Sequence, residues 1–156
     1  MKIVLEKILV PVDFSEASDN ALRYGKAFAE AFNSELHVLH VFEEPVVPAW
    51  TTEGYIPALQ SVREELEKRA RQKLEECLSA EEREKFRAQL VLKTGSPFVE
   101  IIRYARDTDI DLIVIGTHGR GPIAHILLGS VADRVVRKAP CPVLTVRPSE
   151  HEFVMP

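Results

Sequence analysis

The stretch KILVPVDFSEASDNALRYGKAFAEAFNSELHVLHVF, residues 7–42, opens and closes on aliphatic and β-branched runs and carries helical spacing between them. Residues 7–12 and 35–42 read as short buried strands. Between them Ala17, Ala21, Tyr24, Phe28 and Phe32 recur every three or four positions, as an amphipathic helix requires. Ser15 stands where its hydroxyl can cap that helix. A strand, a helix and a second strand with no hairpin signal between them form a βαβ unit, whose strands pair in parallel through a right-handed crossover.

Outward from this unit the alternation continues. Further strands are expected at 111–116 and 142–146, with a weaker one at 88–93. A second helix carries Leu59, Val62, Leu66, Ala70, Leu74 and Leu78, a third Phe98, Ile101, Ile102 and Ala105, and a fourth Val131 and Val135. The order βαβαβαβαβ is that of an α/β fold, a parallel sheet with helices on both faces. Ser96 followed by Pro97 sets a capping hydroxyl before a first-turn proline, and Ser79 with Glu82 fits a capping box for an extra turn before the third strand. Charges in the second helix, such as Glu64 with Lys68 and Glu67 with Arg71, read as a solvated face. No internal repeat or linker interrupts the 156 residues, so one domain, 1–156, is expected. The segment 43–57, with Pro45, Pro48, Trp50, Gly54, Tyr55 and Pro57, is long for a βα connection and is either a lid over a site or a disordered insertion.

Composition narrows the function classes. A hydrophobic content of 46% suits a globular chain large enough to fold without disulfides or a metal. Twenty Lys and Arg against 24 Asp and Glu give a net charge of −4 with the basic residues dispersed, which disfavours nucleic acid. No aliphatic run approaches a membrane span and no signal-peptide core follows Met1, so a soluble, cytoplasmic protein is expected. Cys77 and Cys141 lack CxxC spacing and read as packing residues. His37 and His40 are three apart on a strand and face opposite sides, and His118 and His125 have no partner at ligand spacing, so no zinc site is expected.

The segment from Gly116 through Thr117, His118, Gly119, Arg120 and Gly121 to Gly129 and Ser130 leaves the fourth strand and ends where the last helix begins. Its glycines allow close backbone approach, and a helix N-terminus adds unpaired N–H donors and the positive end of the dipole. A phosphate is the natural guest; a turn that only reverses the chain is the plainer alternative. The segment lacks the Gly-Lys-Ser/Thr ending of a Walker loop and the GxGxxG order of a dinucleotide fingerprint.

The spacing G-x2-G-x9-G-S/T, met by Gly116, Gly119, Gly129 and Ser130, resembles that of the universal stress proteins, in the subgroup that binds ATP. The resemblance runs from residues 8–15 through 39–42 and 95–98 to 142–146, almost the whole chain. It implies a five-stranded parallel sheet in the order 3-2-1-4-5, with nucleotide between strands 1 and 4. It also implies that Pro11, Asp13 and Val41 line the adenine pocket, Asp13 reaching the ribose, while Gly116, Gly119, Gly129, Ser130 and Val131 hold ribose and phosphates. The topological rule for open α/β sheets points to the same crevice. Asp13 can equally serve as a capping carboxylate near Ser15. Arg120 can pair with a phosphate or remain a solvated loop charge.

The function so implied is ATP binding, with AMP or ADP as related ligands and Mg or Mn on the phosphates, in a regulatory protein whose unidentified protein partner depends on the bound state. The rivals are a slow ATP hydrolase or phosphotransferase, which the missing Walker lysine and absent catalytic base make at most weak, and a non-nucleotide oligomerisation module. The fifth strand, at a sheet edge in the implied order and with no charge in residues 143–146, is expected to pair with a second copy into a homodimer, unless the tail 148–156 covers it. Proline at Leu144 is expected to break that pairing.

Overall fold

The computed structural model describes residues 3–44, 56–117 and 128–147. Its elements run β1 Lys7–Pro11, α1 Glu16–Phe32, β2 Glu35–Phe42, α2 Ile56–Glu76, α3 Ala80–Lys85, β3 Gln89–Thr94, α4 Pro97–Asp107, β4 Leu112–Gly116, α5 Ser130–Lys138 and β5 Val143–Val146. All pairs are parallel, and the sheet order is β3-β2-β1-β4-β5. The expected α/β architecture and strand order are therefore observed, and α3 is the extra turn that the Ser79–Glu82 box foretold.

Successive strand residues point to opposite faces, and the two cores record it. Ile8, Val10, Leu36, Val38, Leu112 and Val114 pack with Ala21, Leu22 and Ala29 of α1 and Leu74 of α2. Leu9, Leu39, Val41, Ile113 and Ile115 pack with Ile101 and Ala105 of α4 and Ala132 and Val135 of α5. Central strands buried on both sides need aliphatic residues at every position, which is why the runs were visible in the sequence.

Four expectations need correction. The buried face of α1 is Ala17, Ser18, Ala21, Leu22, Gly25 and Ala29, while Tyr24 and Phe32 are exposed. Small residues won that face because the helix lies close on β1: a Cβ at Gly25 would overlap Val10 Cγ2. On α2, Ala70 and Leu74 are buried, followed by Leu78 just beyond its end, whereas Val62 and Leu66 are exposed. Ser96 occupies the N-cap of α4 but makes no side-chain capping bond, leaving Pro97 as the start signal. On the solvated face Glu67 pairs with Arg71 as expected, but Glu64 accepts from Gln60 instead of meeting Lys68. Most of the 43–57 connection and all of the 148–156 tail lie outside the described residues.

Candidate functional site

The chain order turns at β1: β2 and β3 lie on one side, β4 and β5 on the other. β1 pairs with β2 through Pro11↔Leu39, and the Val12 N–H still donates to Leu39 O at 2.8 Å. With β4 the registered pairing stops at Leu9↔Ile113, although β4 continues to Gly116. The Val12 bond shows that even-numbered residues of β1 address β2, so the Pro11 nitrogen is turned toward β4. Proline has no N–H to give there, and the β1–β4 ladder ends. Their carboxyl ends flank the crevice that such sheets use for ligands.

On the β1 side the chain enters α1 through a polar turn. Asp13 Oδ1 accepts the Ser15 N–H at 3.0 Å and the Ser15 hydroxyl, while Ser15 Oγ accepts the Ser18 N–H at 3.3 Å as the N-cap. The Asp13 N–H donates to Ser18 Oγ at 3.3 Å, and the Ser18 hydroxyl donates to Ser15 O. Asp13 thus braces the N-cap residue Ser15 and does not itself cap α1. Across the crevice Gly116 meets the same turn, since a Cβ there would lie 2.7 Å from the carbonyl carbon and oxygen of Ala17. This glycine is required by packing, independently of any ligand.

Thr117, buried to 3% exposure, then joins β4 to α5. Its N–H donates to Val146 O at 2.9 Å, and its carbonyl accepts the Gly129 N–H. Gly129 is the N-cap of α5, with φ −63° and ψ 156°, values open to any residue. Ser130, the first residue of α5, is exposed, and Val131 is half-buried against the Ile115 and Val41 core. Asp133 would oppose an anion here, but Arg137 Nε lies 3.1 Å from both of its oxygens. The backbone donors of a helix N-terminus stand ready for a negative group.

Of the expected site residues, Asp13, Gly116, Gly129 and Ser130 are connected through the α1 turn and the Thr117 bond, Pro11 ends the β1–β4 ladder, and Val41 and Val131 share one core. Gly119 and Arg120 lie outside the described residues. Thr117 and Ser18 were missed: nothing in local spacing distinguishes a threonine that ties two elements together from one that does not. Among the described residues no group of three or more His, Cys, Asp or Glu could hold a metal, and no helix is long and apolar enough to cross a membrane.

A sequence model of the universal stress protein family matches residues 5–147. The chain belongs to the universal stress protein family. A universal stress protein of Methanocaldococcus jannaschii is 31% identical over 158 residues, covering 94% of this chain and 98% of the relative. The solved universal stress protein from Lactobacillus plantarum superposes with a TM-score of 0.74 at 26% identity, over 94% of this chain and all of the other. Another, the Archaeoglobus fulgidus universal stress protein in complex with dAMP, shares the fold with a TM-score of 0.61 at 23% identity, over 92% of this chain and 99% of the other.

Proposed function

We infer that this universal stress protein binds an adenine nucleotide, ATP foremost with AMP or ADP as alternatives, in the crevice between β1 and β4, and that the bound nucleotide governs its choice of protein partner. The observation that carries this reading is the end of the β1–β4 ladder at Leu9↔Ile113, with the N-terminus of α5 tethered to the end of β4 through Thr117. Pro11, Asp13 and Val41 would receive the adenine and ribose. Gly116, Gly119, Gly129, Ser130 and Val131 would hold ribose and phosphates, with Arg120 a further phosphate contact. Magnesium or manganese would ride on the phosphates, since no described cluster of protein ligands converges there. A relative of this fold was solved with dAMP, but at 23% identity that likeness carries only the fold.

Binding, with at most slow hydrolysis, is the proposed activity, because phosphoryl transfer also needs a base for the attacking group, the loop has no Walker lysine, and Asp13 is engaged by Ser15. The active form is proposed to be a cytoplasmic homodimer joined through β5, which pairs only with β4 among the described residues. Denaturing the purified protein, identifying any released nucleotide by mass spectrometry and titrating the refolded, emptied protein with ATP tests the reading. An adenine nucleotide and saturable binding are expected; no release together with no heat of ATP binding would overturn it.

A further inference from the structure

Phe14 holds φ at 62°, in the left-handed region where a bulky side chain is rare. The other described non-glycine residues there are Asn33, Arg87 and Asp109. Asn and Asp tolerate that region by bonding their own backbone, and Asn33 is the C-cap of α1. An aromatic residue persists in it only where its surroundings over-determine the conformation.

Those surroundings centre on His40 of β2. The Phe14 ring lies against the His40 imidazole, with centroids 4.3 Å apart and planes inclined by 36°, and Lys73 of α2 sets its ammonium 5.6 Å from the Phe14 centroid. His40 Nδ1 lies 2.7 Å from Val12 O. A carbonyl only accepts, so Nδ1 carries the hydrogen. One imidazole thus grips the chain at Val12 and at Phe14, on either side of Asp13. None of the residues assigned to the nucleotide makes this grip.

We propose that His40 and Phe14 are positioning residues for Asp13, holding the β1–α1 turn in its left-handed form so that the Asp13 carboxylate is set for the ribose before the nucleotide arrives. The inference rests on the adenine-nucleotide reading of this crevice and adds to it a source of preorganisation. A turn ordered in advance spares the ligand the cost of ordering it.

The test is a double-mutant cycle in AMP affinity, measured by calorimetry on His40→Ala, Asp13→Ala and the double variant, with circular dichroism confirming the fold. His40→Ala is expected to weaken AMP on the order of tenfold, within the range of coupled neighbours, and to weaken ATP by the same factor. In the Asp13→Ala background it should add almost nothing. His40→Gln, which keeps an N–H for Val12 O without the ring, should recover part of the loss. Equal losses from His40→Ala in both backgrounds would overturn the proposal, because a merely structural role is additive. If His40→Ala does not fold, Phe14→Leu, which keeps an apolar side chain without the ring, takes its place in the cycle. Amide exchange at Ser15, whose N–H bonds Asp13 Oδ1, reads the same clamp without nucleotide. Faster exchange at Ser15 in the variant, with β1 amides unchanged, supports the clamp, and unchanged exchange overturns it. Failure of the wild type to bind AMP or ATP would instead overturn the nucleotide reading.

Discussion

At Gly116 the α1 turn and the proposed ligand make the same demand for an absent side chain. Because the atoms in the way are Ala17 backbone, which cannot swing aside, Gly116→Ala is expected to destabilise the fold by about 1–3 kcal/mol, the usual cost of overpacking. Urea unfolding without nucleotide checks this, and an unchanged midpoint would return the whole case for Gly116 to the ligand. Spacing alone identified the glycine but not this reason, since the approach of α1 to β4 is a tertiary fact. Gly129 differs, because its dihedrals would suit any residue and backbone strain gives no reason for glycine there. Asp13→Ala should weaken AMP and ATP alike through the shared nucleoside, whereas Ser130→Ala should weaken ATP more than AMP; calorimetry on both variants separates the two roles. His37 is 4% exposed, its Nδ1 shares a 2.7 Å hydrogen bond with the Tyr104 hydroxyl, and its Nε2 lies 3.0 Å from Glu35 Oε1 without hydrogen-bond alignment. Burial holds its pKa below the ordinary imidazole value, outweighing the opposing pull of Glu35. The unfolded chain therefore takes up the proton first as pH falls, so this contribution is whole above about pH 6.5 and declines below it. His37→Gln should flatten the loss of stability from about pH 7.5 to pH 5.5, and an unaltered slope would place the titration elsewhere.

Element ends separate what the sequence encodes locally from what it does not. Strand bounds fell within about one residue of expectation because a doubly buried strand is written in consecutive aliphatic residues, from Ile8 to Val10 and Leu112 to Ile115. The capping box of α3 was equally legible, since Ser79 and Glu82 satisfy each other's backbone without help from the rest of the fold. Helix faces were less so. Periodicity found the turn of α1 but took Tyr24 and Phe32 as core, when the depth available over β1 admits only alanine, serine and glycine along much of its length. The edge strand gives the element-scale prediction, and it corrects the expectation about Leu144. Ile113 N donates to Pro142 O and Thr117 N to Val146 O, so even-numbered residues of this strand address β4 and the outward groups belong to Val143 and Thr145. Proline at Leu144 would damage the β4–β5 ladder, whereas Thr145→Pro removes an outward donor from a strand that otherwise keeps its place. If the dimer forms through this edge, folded Thr145→Pro should elute as a monomer in light scattering behind size exclusion; a persisting dimer would locate the interface elsewhere.

Across the whole molecule, two helix beginnings and two strand ends meet at one place, and the β1–β4 ladder ends there beside a proline. Glu16 and Asp19 already occupy the first turn of α1, and Asp133 is tied to Arg137 in α5, so the proposed phosphate site is the N-terminus of α5 and not that of α1. The net charge of −4 does not favour an anionic ligand, so the proposed site relies on local attraction, in which backbone N–H groups and the helix dipole take part. The glycine spacing was readable from the chain, and the strand order followed from the family resemblance it carries; the end of the β1–β4 ladder was not readable, because Pro11 acquires that meaning only when its nitrogen is known to face β4. A ligand that binds only the folded state raises its stability by RT ln(1 + [L]/Kd), about 2.7 kcal/mol at one hundred times Kd. The most direct measurement is therefore the ATP dependence of the melting temperature in the wild type and in Gly129→Val, where a branched side chain would stand in the phosphate's place. A rise with ATP in the wild type, absent from a folded Gly129→Val protein, is the predicted result; an equal rise in both, or none in the wild type, would contradict the account.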